Sequence, residues 1–496
     1  MIDPLARKLL QRFEALKAPR EAYWEPKWQE IADHVIGRRD FTVQDTPGRR
    51  REIQLYDTTG RTMVDLLAGG LHSLLVNPAS DWFDLRTDDP ALMEVYEVQL
   101  WLEEVKKRLY AIFHSPEARF TAQMDELFLD LVGFGTAGLF IGDPPGRQVL
   151  FSSRPLSELF IAESAYGVVD TVFRKFQLTA RQTLQQWGPE ASDKAKAAVE
   201  GGRPETPIEL LHAVMPSEDP TLRGFAGMPF PWSSHFLDRE SGQLLGRPGG
   251  FHELPYVISR WRVDGGEVYG RGPAENSLAE QKMVSAMKLT TLQAGQMAVA
   301  PPFLTEDDSS IVQLDLRPFG RNIVRPGGML QPPIQALDVK SRAEIGVELI
   351  RDSRQQVEAS FHFELLKLIQ NPGLTPMTAQ QVRAIRSAVE RLLSPILGRQ
   401  HTDVLGPLID RTFGIAVRRG QIPTAPAVLQ GRRIEVEYLS PINRAQKEGD
   451  AEAAIEFLAL WAQGVQVDPS IADLVDVDEA YRFIAQQKNV PPKLLR

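Results

Sequence analysis

A chain of 496 residues, 43% hydrophobic and 24% charged, is built to fold rather than to stay disordered, as about three domains or as one elongated subunit of several segments. It has no cysteine, which excludes a disulfide framework and a thiolate metal site, and no run approaches the ~18 consecutive apolar residues of a membrane-spanning helix. The formal net charge of −9, from 56 basic and 65 acidic residues, lacks the basic excess of a protein that grips nucleic acid.

The amino-terminal run MIDPLARKLLQRFEAL carries charges throughout and has no apolar signal-peptide core. With no cysteine, assembly in a reducing cytoplasm is expected. Pro4 to Leu16 reads as an amphipathic helix, and Tyr23, Trp24, Trp28 and Ile31 put aromatics on one helical face. After an arginine-rich link, Asp57, Thr58 or Thr59 caps a helix with Met63, Leu66, Leu67, Leu71, Leu74 and Leu75 at helical spacing. Asn77-Pro78 ends it, and Trp82 to Leu85 reads as extended. Helices are predicted over Val98–Ile112 and Phe120–Leu131, the latter running into GFGTAGLFIGD.

Beyond Phe151 the texture changes to short strands, Thr171–Gln177, Ile208–Val214, Ser233–Leu237 and Tyr256–Arg260, with one helix capped by Thr179 and stopped at Gly188-Pro189. This part is expected to be an α+β domain with a mostly antiparallel sheet. A Gly-rich turn at Asp264-Gly265-Gly266 leads to Tyr269-Gly270-Arg271-Gly272-Pro273 and then to a helix of good formers, Ala274 to Ala300, about 40 Å long. Pro301-Pro302 stops it. Residues 305–337 are rich in Pro and Gly, with short strands expected near Ile311–Leu316 and Asn322–Val324. A second long helix follows over Val339–Ser360, a break over 361–377, and a helix opened by the Thr378/Gln381 capping box. Helices after Pro407, a strand over Ile434–Tyr438, and helices over Asn443–Gln463 and Val477–Gln487 complete the chain.

No chemical motif survives inspection. Gly133 to Gly138 has the spacing G-x-G-x-x-G, but a dinucleotide fold needs a strand before it and a helix after it, and here the order is reversed. The dipeptide Gly-Lys is absent, which excludes a P-loop, and neither H-E-x-x-H nor G-x-S-x-G occurs. His72 and His212 sit in apolar stretches and read as core histidines, and Asp88-Asp89 and Asp307-Asp308 as solvated turns. No catalytic residue, cofactor site or metal site is predicted.

YDTTGRTMVDLLAGGLHSLLVNPASDWFDL, GFGTAGLF, YGRGPA, the MTAQQVRAIRSAVERLLSPILGRQ helix and the closing VPPKLL stand in unbroken order over the whole chain. Together they resemble the portal proteins of the head-to-tail connector family of short-tailed bacteriophages. The resemblance implies a mainly helical α+β subunit of a cyclic 12-mer ring at one capsid vertex of the virion, which is not an enzyme. It implies a wing over 1–272, stem helices over 273–300 and 338–360 around a clip at 301–337, a tunnel loop at 361–377, and a wing return and crown over 378–496. Double-stranded DNA would pass through without sequence specificity, with large terminase, tail adaptor, and major capsid and scaffolding proteins as partners.

Within that frame Lys367, Gln370 and Asn371 are the tunnel-loop groups available to DNA, and Arg317, Arg321 and Arg325 are clip contacts, to a partner or in turn salt bridges. Lys282 and Lys288 on the first stem helix and Glu344, Glu348, Arg351 and Arg354 on the second are expected to pair between subunits or face the channel. Between Ala274 and Met377 ten basic residues meet twelve acidic ones, a balance that suits a duplex sliding past or reflects ordinary solubility. The rival reading is an assembly scaffold or adaptor that forms no DNA channel.

Overall fold

The computed structural model describes residues 3–37, 41, 55–219, 221–306, 315, 317, 319–324, 334–336, 343–363, 393–429, 432, 434–439, 441–467 and 475–488. Asp3 caps α1 (Pro4–Pro19), its carboxylate accepting from the Leu5 amide at 2.7 Å. Next come α2 (Glu25–Ile31) and α3 (Thr59–Leu75), whose first turn is closed by Asp57 Oδ1 accepting from the Thr59 amide at 3.0 Å. β1 (Phe83–Thr87), α4 (Tyr96–Phe113) and α5 (Phe120–Phe134) follow. Gly135, at φ 76°, ends α5 in the left-handed region and β2 (Thr136–Gly142) leaves at once, so the Gly-rich run is a helix-to-strand corner.

β3 (Leu150–Arg154), β4 (Leu159–Glu163) and β5 (Val169–Thr179) lead to α6 (Ala180–Trp187), opened by a complete Thr179/Gln182 capping box. α7 (Asp193–Glu200) was not predicted; its buried face is only Ala195 and Ala198, too small to register as an apolar stripe. β6 (Pro207–Pro216), β7 (Trp232–Asp238), β8 (Leu244–Phe251) and β9 (Tyr256–Arg260) precede α8 (Pro273–Val299). β10 (Phe303–Glu306), β11 (Arg321–Val324) and β12 (Ile334–Ala336) separate α8 from α9 (Ala343–Ser360). Residues 393–400 are helical, followed by α10 (Gly406–Arg418), β13 (Ile434–Tyr438), α11 (Pro441–Val467) and α12 (Val477–Gln487). The class is α+β and mainly helical. The strand expected at 311–316, apart from Asp315, and the capping box at Thr378 lie outside the described residues.

The chain divides into two compact units. The first comprises Met1–Ala22, Ala68–Arg271 and Leu366–Arg496. It holds a five-stranded antiparallel sheet in the order β4-β5-β6-β7-β8, a three-stranded one in the order β3-β2-β9, and the antiparallel pair β1–β13. On one face of the large sheet Phe173, Leu211 and Leu237 pack against Leu9 and Phe13 of α1. The second unit comprises Tyr23–Leu67 and Gly272–Leu365, with α8 and α9 side by side and a small sheet in the order β11-β10-β12. There β10 pairs parallel with β11 and antiparallel with β12.

The other face of the large sheet carries a polar layer. Arg174, His212 and Phe236 are neighbours in register across β5, β6 and β7, and Phe140 of β2 and Tyr256 of β9 pack against them. His212 is 2% exposed and stacks on Phe236 with ring centres 3.9 Å apart. Its Nδ1 meets the Tyr256 hydroxyl at 2.8 Å and its Nε2 the Ser234 hydroxyl at 3.0 Å, so both nitrogens are satisfied with the ring neutral. Burial, then the positive charges of Arg174, Arg154 and His235, hold its pKa well below 6.5. The sign follows: the unfolded chain takes up the proton first, so this stability is complete above pH 6.5 and drains away below it. We expect unfolding free energy to fall by up to about 1.4 kcal/mol per pH unit from this one residue below that point. Urea midpoints of the wild type and His212→Gln across that range check it, the variant being less stable at neutral pH and flatter in acid.

Candidate functional site

α8 is long but buries little that is apolar. Pro273 fills its first turn, where a missing N–H costs nothing, and its inward stripe is Ala274, Ser277, Gln281, Val284 and Ser285. A buried amide must find partners, and Gln281 finds them in the segment before α3. Its Nε2 donates to the Asp57 carbonyl at 2.8 Å, and its Oε1 accepts from the Gly60 amide at 3.2 Å. Ser285 Oγ accepts from the Tyr56 amide at 3.2 Å. Residues 56–60 are thereby strapped along the helix. A Cβ at Gly60 would lie 3.0 Å from Gln281 Oε1 and 3.1 Å from Val35, so a side chain there would require both neighbours to give by a few tenths of an ångström.

The strap delivers a carboxylate to both long helices. Asp57 is 1% exposed; its Oδ2 accepts from Arg354 of α9 at 3.1 Å (Nε) and 2.5 Å (Nη2), and lies 3.4 Å from Lys288 Nζ of α8. Burial pushes its pKa up, but hydrogen bonds from Thr59 and Arg354 outweigh burial and bring it down to about 2. α9 meets α8 through Gly346, Ile350, Ser353 and Val357, one helical seam; at Gly346 a Cβ would come within 2.8 Å of Thr291 Oγ1.

Lys282, Lys288 and Arg354 were expected to pair with charges of another subunit or face a channel. Each has a partner in its own chain: Lys282 meets Glu30 at 2.7 Å, and the other two share Asp57. Glu344, Glu348 and Arg351 are exposed and have no ion-pair partner among the described residues. Arg317 is 85% exposed and forks onto Asp315, two contacts of 2.9 Å, in a turn braced by Asn322. Of Arg321 the structure describes the backbone, in β11. Arg325, Lys367, Gln370 and Asn371 lie outside the described residues. Asp57, Gln281 and Glu30 escaped the sequence reading: Asp57 was seen only as a helix cap, and its cations stand 231 and 297 residues away.

In the first unit the motif ahead of α8 is a second tight construction. Tyr269 is buried with its hydroxyl accepting from the Ile161 amide at 3.3 Å, and the Gly270 amide donates to Thr136 Oγ1 at 2.7 Å. A Cβ at Gly270 would sit 2.4 Å from the Gly135 carbonyl, which explains the glycine. Arg271 grips Glu267 and lies 3.2 Å from Asp264, bracing the turn. Among the described residues there is no cluster of acidic or histidine side chains placed to hold a metal, and no helix long and apolar enough to cross a membrane.

These long helices, the Gly-locked lead-in and the corner all fall within one family match, "Bacteriophage head to tail connecting protein", over residues 6–495. The chain belongs to that family. It is 27% identical over 510 residues to the "Portal protein" of Salmonella phage epsilon15, covering 100% of this chain and 89% of that one. It is also 27% identical over 511 residues to the "Probable portal protein" of Bordetella phage BPP-1, covering 100% and 90%. Among solved structures, a chain of the virion of a native gene transfer agent particle aligns over 93% of this chain and 94% of its own at 12% identity. The TM-score of that alignment is 0.40.

Asp57→Asn keeps the shape of the strap and removes its charge, leaving Arg354 and Lys288 without their anion. Both cations are partly exposed, so the expected loss is about 2 kcal/mol, below that of a fully buried pair. The folded pKa is depressed, so the carboxylate contributes fully above pH 3.8 and loses its contribution as pH falls through about 2. Urea unfolding of both proteins should give a constant difference near neutrality that closes in strong acid. A difference that persists there would trace the effect to packing instead of charge.

Proposed function

We propose that the chain is one subunit of a closed ring, a 12-mer, at one vertex of the phage head. The ring is the conduit for double-stranded DNA during terminase-driven packaging and ejection, and the docking platform for terminase and tail adaptor. In this reading α8 and α9 are the stem helices, residues 301–337 the clip, 361–377 the tunnel loop, and the remainder wing and crown. Capsid and scaffolding proteins contact the wing, and the ring takes no part in catalysis.

One observation carries the ring. The seam of α9 against α8 is flanked on both sides by exposed apolar side chains: Ile345 (50% exposed) and Leu349 (51%), one turn apart, on one side and Val347 (58%) on the other. α8 adds Met283 (44%) and Leu292 (50%). A heterologous ring needs two different faces on every subunit, each covered by a neighbour, whereas a twofold dimer needs only one. Apolar residues at both flanks of a two-helix seam meet that need.

The family supplies the connector role, and the charge of the segment fits passage of DNA. A surface that neutralised ~6–10 phosphates would hold the duplex tightly and with steep salt dependence. Electron microscopy of the purified full-length protein should show rings with a central opening wide enough for a duplex. Leu349→Asp and Val347→Asp, each on an exposed position and therefore within about 0.5 kcal/mol of wild-type stability, should each shift the rings to monomers in native mass spectrometry. Rings that survive both changes would sink this interface, and assemblies of another form, without an opening, would favour the scaffold reading.

A further inference from the structure

The polar layer between the two sheets of the first unit holds one positive charge more than it neutralises. Arg174 Nε donates to Glu158 Oε2 at 2.7 Å, with its guanidinium 4.2 Å from the centre of the Phe176 ring, so this pair is settled. Arg154, the last residue of β3, lies within electrostatic reach of Arg174, its guanidinium 5.7 Å from the centre of the Phe140 ring. Its Nε is shut away from solvent without an acceptor, and among the described residues the side chain donates no hydrogen bond and makes no ion pair. The neighbours that face it offer no spare anion: Glu158 is committed to Arg174, Tyr256 is a neutral phenol bonded to His212, and His212 is uncharged. Guanidinium does not give up its proton in proteins, so neutralisation by deprotonation is closed.

We propose that Arg154 forms a binding site for a single oxyanion of the carboxylate or phosphate class. A guanidinium carries pairs of parallel N–H groups, which match two oxygens on one centre and give an oxyanion an advantage over a halide. A half-buried cation without a counter-ion is costly, and an oxyanion seated on the fork removes that cost. The chemistry has two sources, free phosphate or an acidic side chain of a neighbouring copy. Both use the same fork.

The test uses the full-length protein, with inorganic phosphate titrated against chloride at constant ionic strength and followed by calorimetry and thermal unfolding. Phosphate should bind the unassembled chain saturably and raise its Tm by about 2 °C at ten times Kd. Arg154→Met should abolish this while folding normally, and Arg154→Lys, which lacks the fork, should weaken binding at least tenfold. Binding retained in the assembled ring identifies a free oxyanion. Binding lost there, with assembly weakened by Arg154→Met, identifies a neighbour's carboxylate. No gain of phosphate over chloride in the unassembled chain, or the same gain in the Arg154 variants, overturns the proposal; should Arg154→Met not fold, Arg154→Lys alone decides.

Discussion

The second unit depends on a single buried carboxylate. Asp57 has to be ionised to close the first turn of α3 and to hold Arg354 and Lys288, and an ionised group with 1% exposure survives only if every lone pair has a donor. Its Oδ1 takes a backbone amide and its Oδ2 takes the two cations, while its own carbonyl takes Gln281. Strap, α8 and α9 therefore meet at one residue. Among the described residues of the segment that separates the two helices in sequence, none takes part in that meeting.

Around this point the usual placement of polar and apolar side chains is inverted. α8 turns Ser277, Gln281 and Ser285 inward and shows Met283 and Leu292 to solvent, and α9 shows Ile345, Val347 and Leu349. On the α1-facing side of the large sheet in the first unit the pattern is ordinary, with Phe13, Phe173, Leu211 and Leu237 all buried together. Polar contacts inside the helix pair fix its register, since Gln281 and Asp57 are satisfied in one alignment only. Apolar surface outside it gains nothing in an isolated chain, but stabilises contact with a neighbour.

The parts legible in the sequence are those decided locally. Tyr256–Arg260, Ile434–Tyr438 and Val477–Gln487 have the limits read from the sequence, because alternation, helical spacing and breakers all lie within a few residues. The Thr179/Gln182 capping box and the Gly135 corner are equally local. β3, β4 and β8 escaped because pairing with the adjacent strand, and not their own residue pattern, makes them strands; β8 contains Pro248, Gly249 and Gly250, which argue against a strand until β7 is beside it. β10 and β12 sit in a Pro/Gly-rich stretch for the same reason. Asp57 shows only its short-range role, as a cap, since its ionic partners are assembled by the fold.

That assembly also alters the meaning of the charge count. Of the four basic residues on α8 and α9, Lys282 is consumed by Glu30, and Lys288 and Arg354 by Asp57, which leaves Arg351. On α9 the acidic side chains Glu344, Glu348, Asp352 and Glu358 have no ion-pair partner among the described residues. The helix pair thus presents a more acidic surface than its composition suggests, with its cations turned to internal structure. In a ring lined by such pairs, phosphates would meet repulsion at the wall, and field lines focused in a narrow opening would strengthen it. Under the proposed function a duplex driven from one end would be centred instead of gripped, and the same buried Asp57 that joins the helices would withhold from it the two cations Lys288 and Arg354.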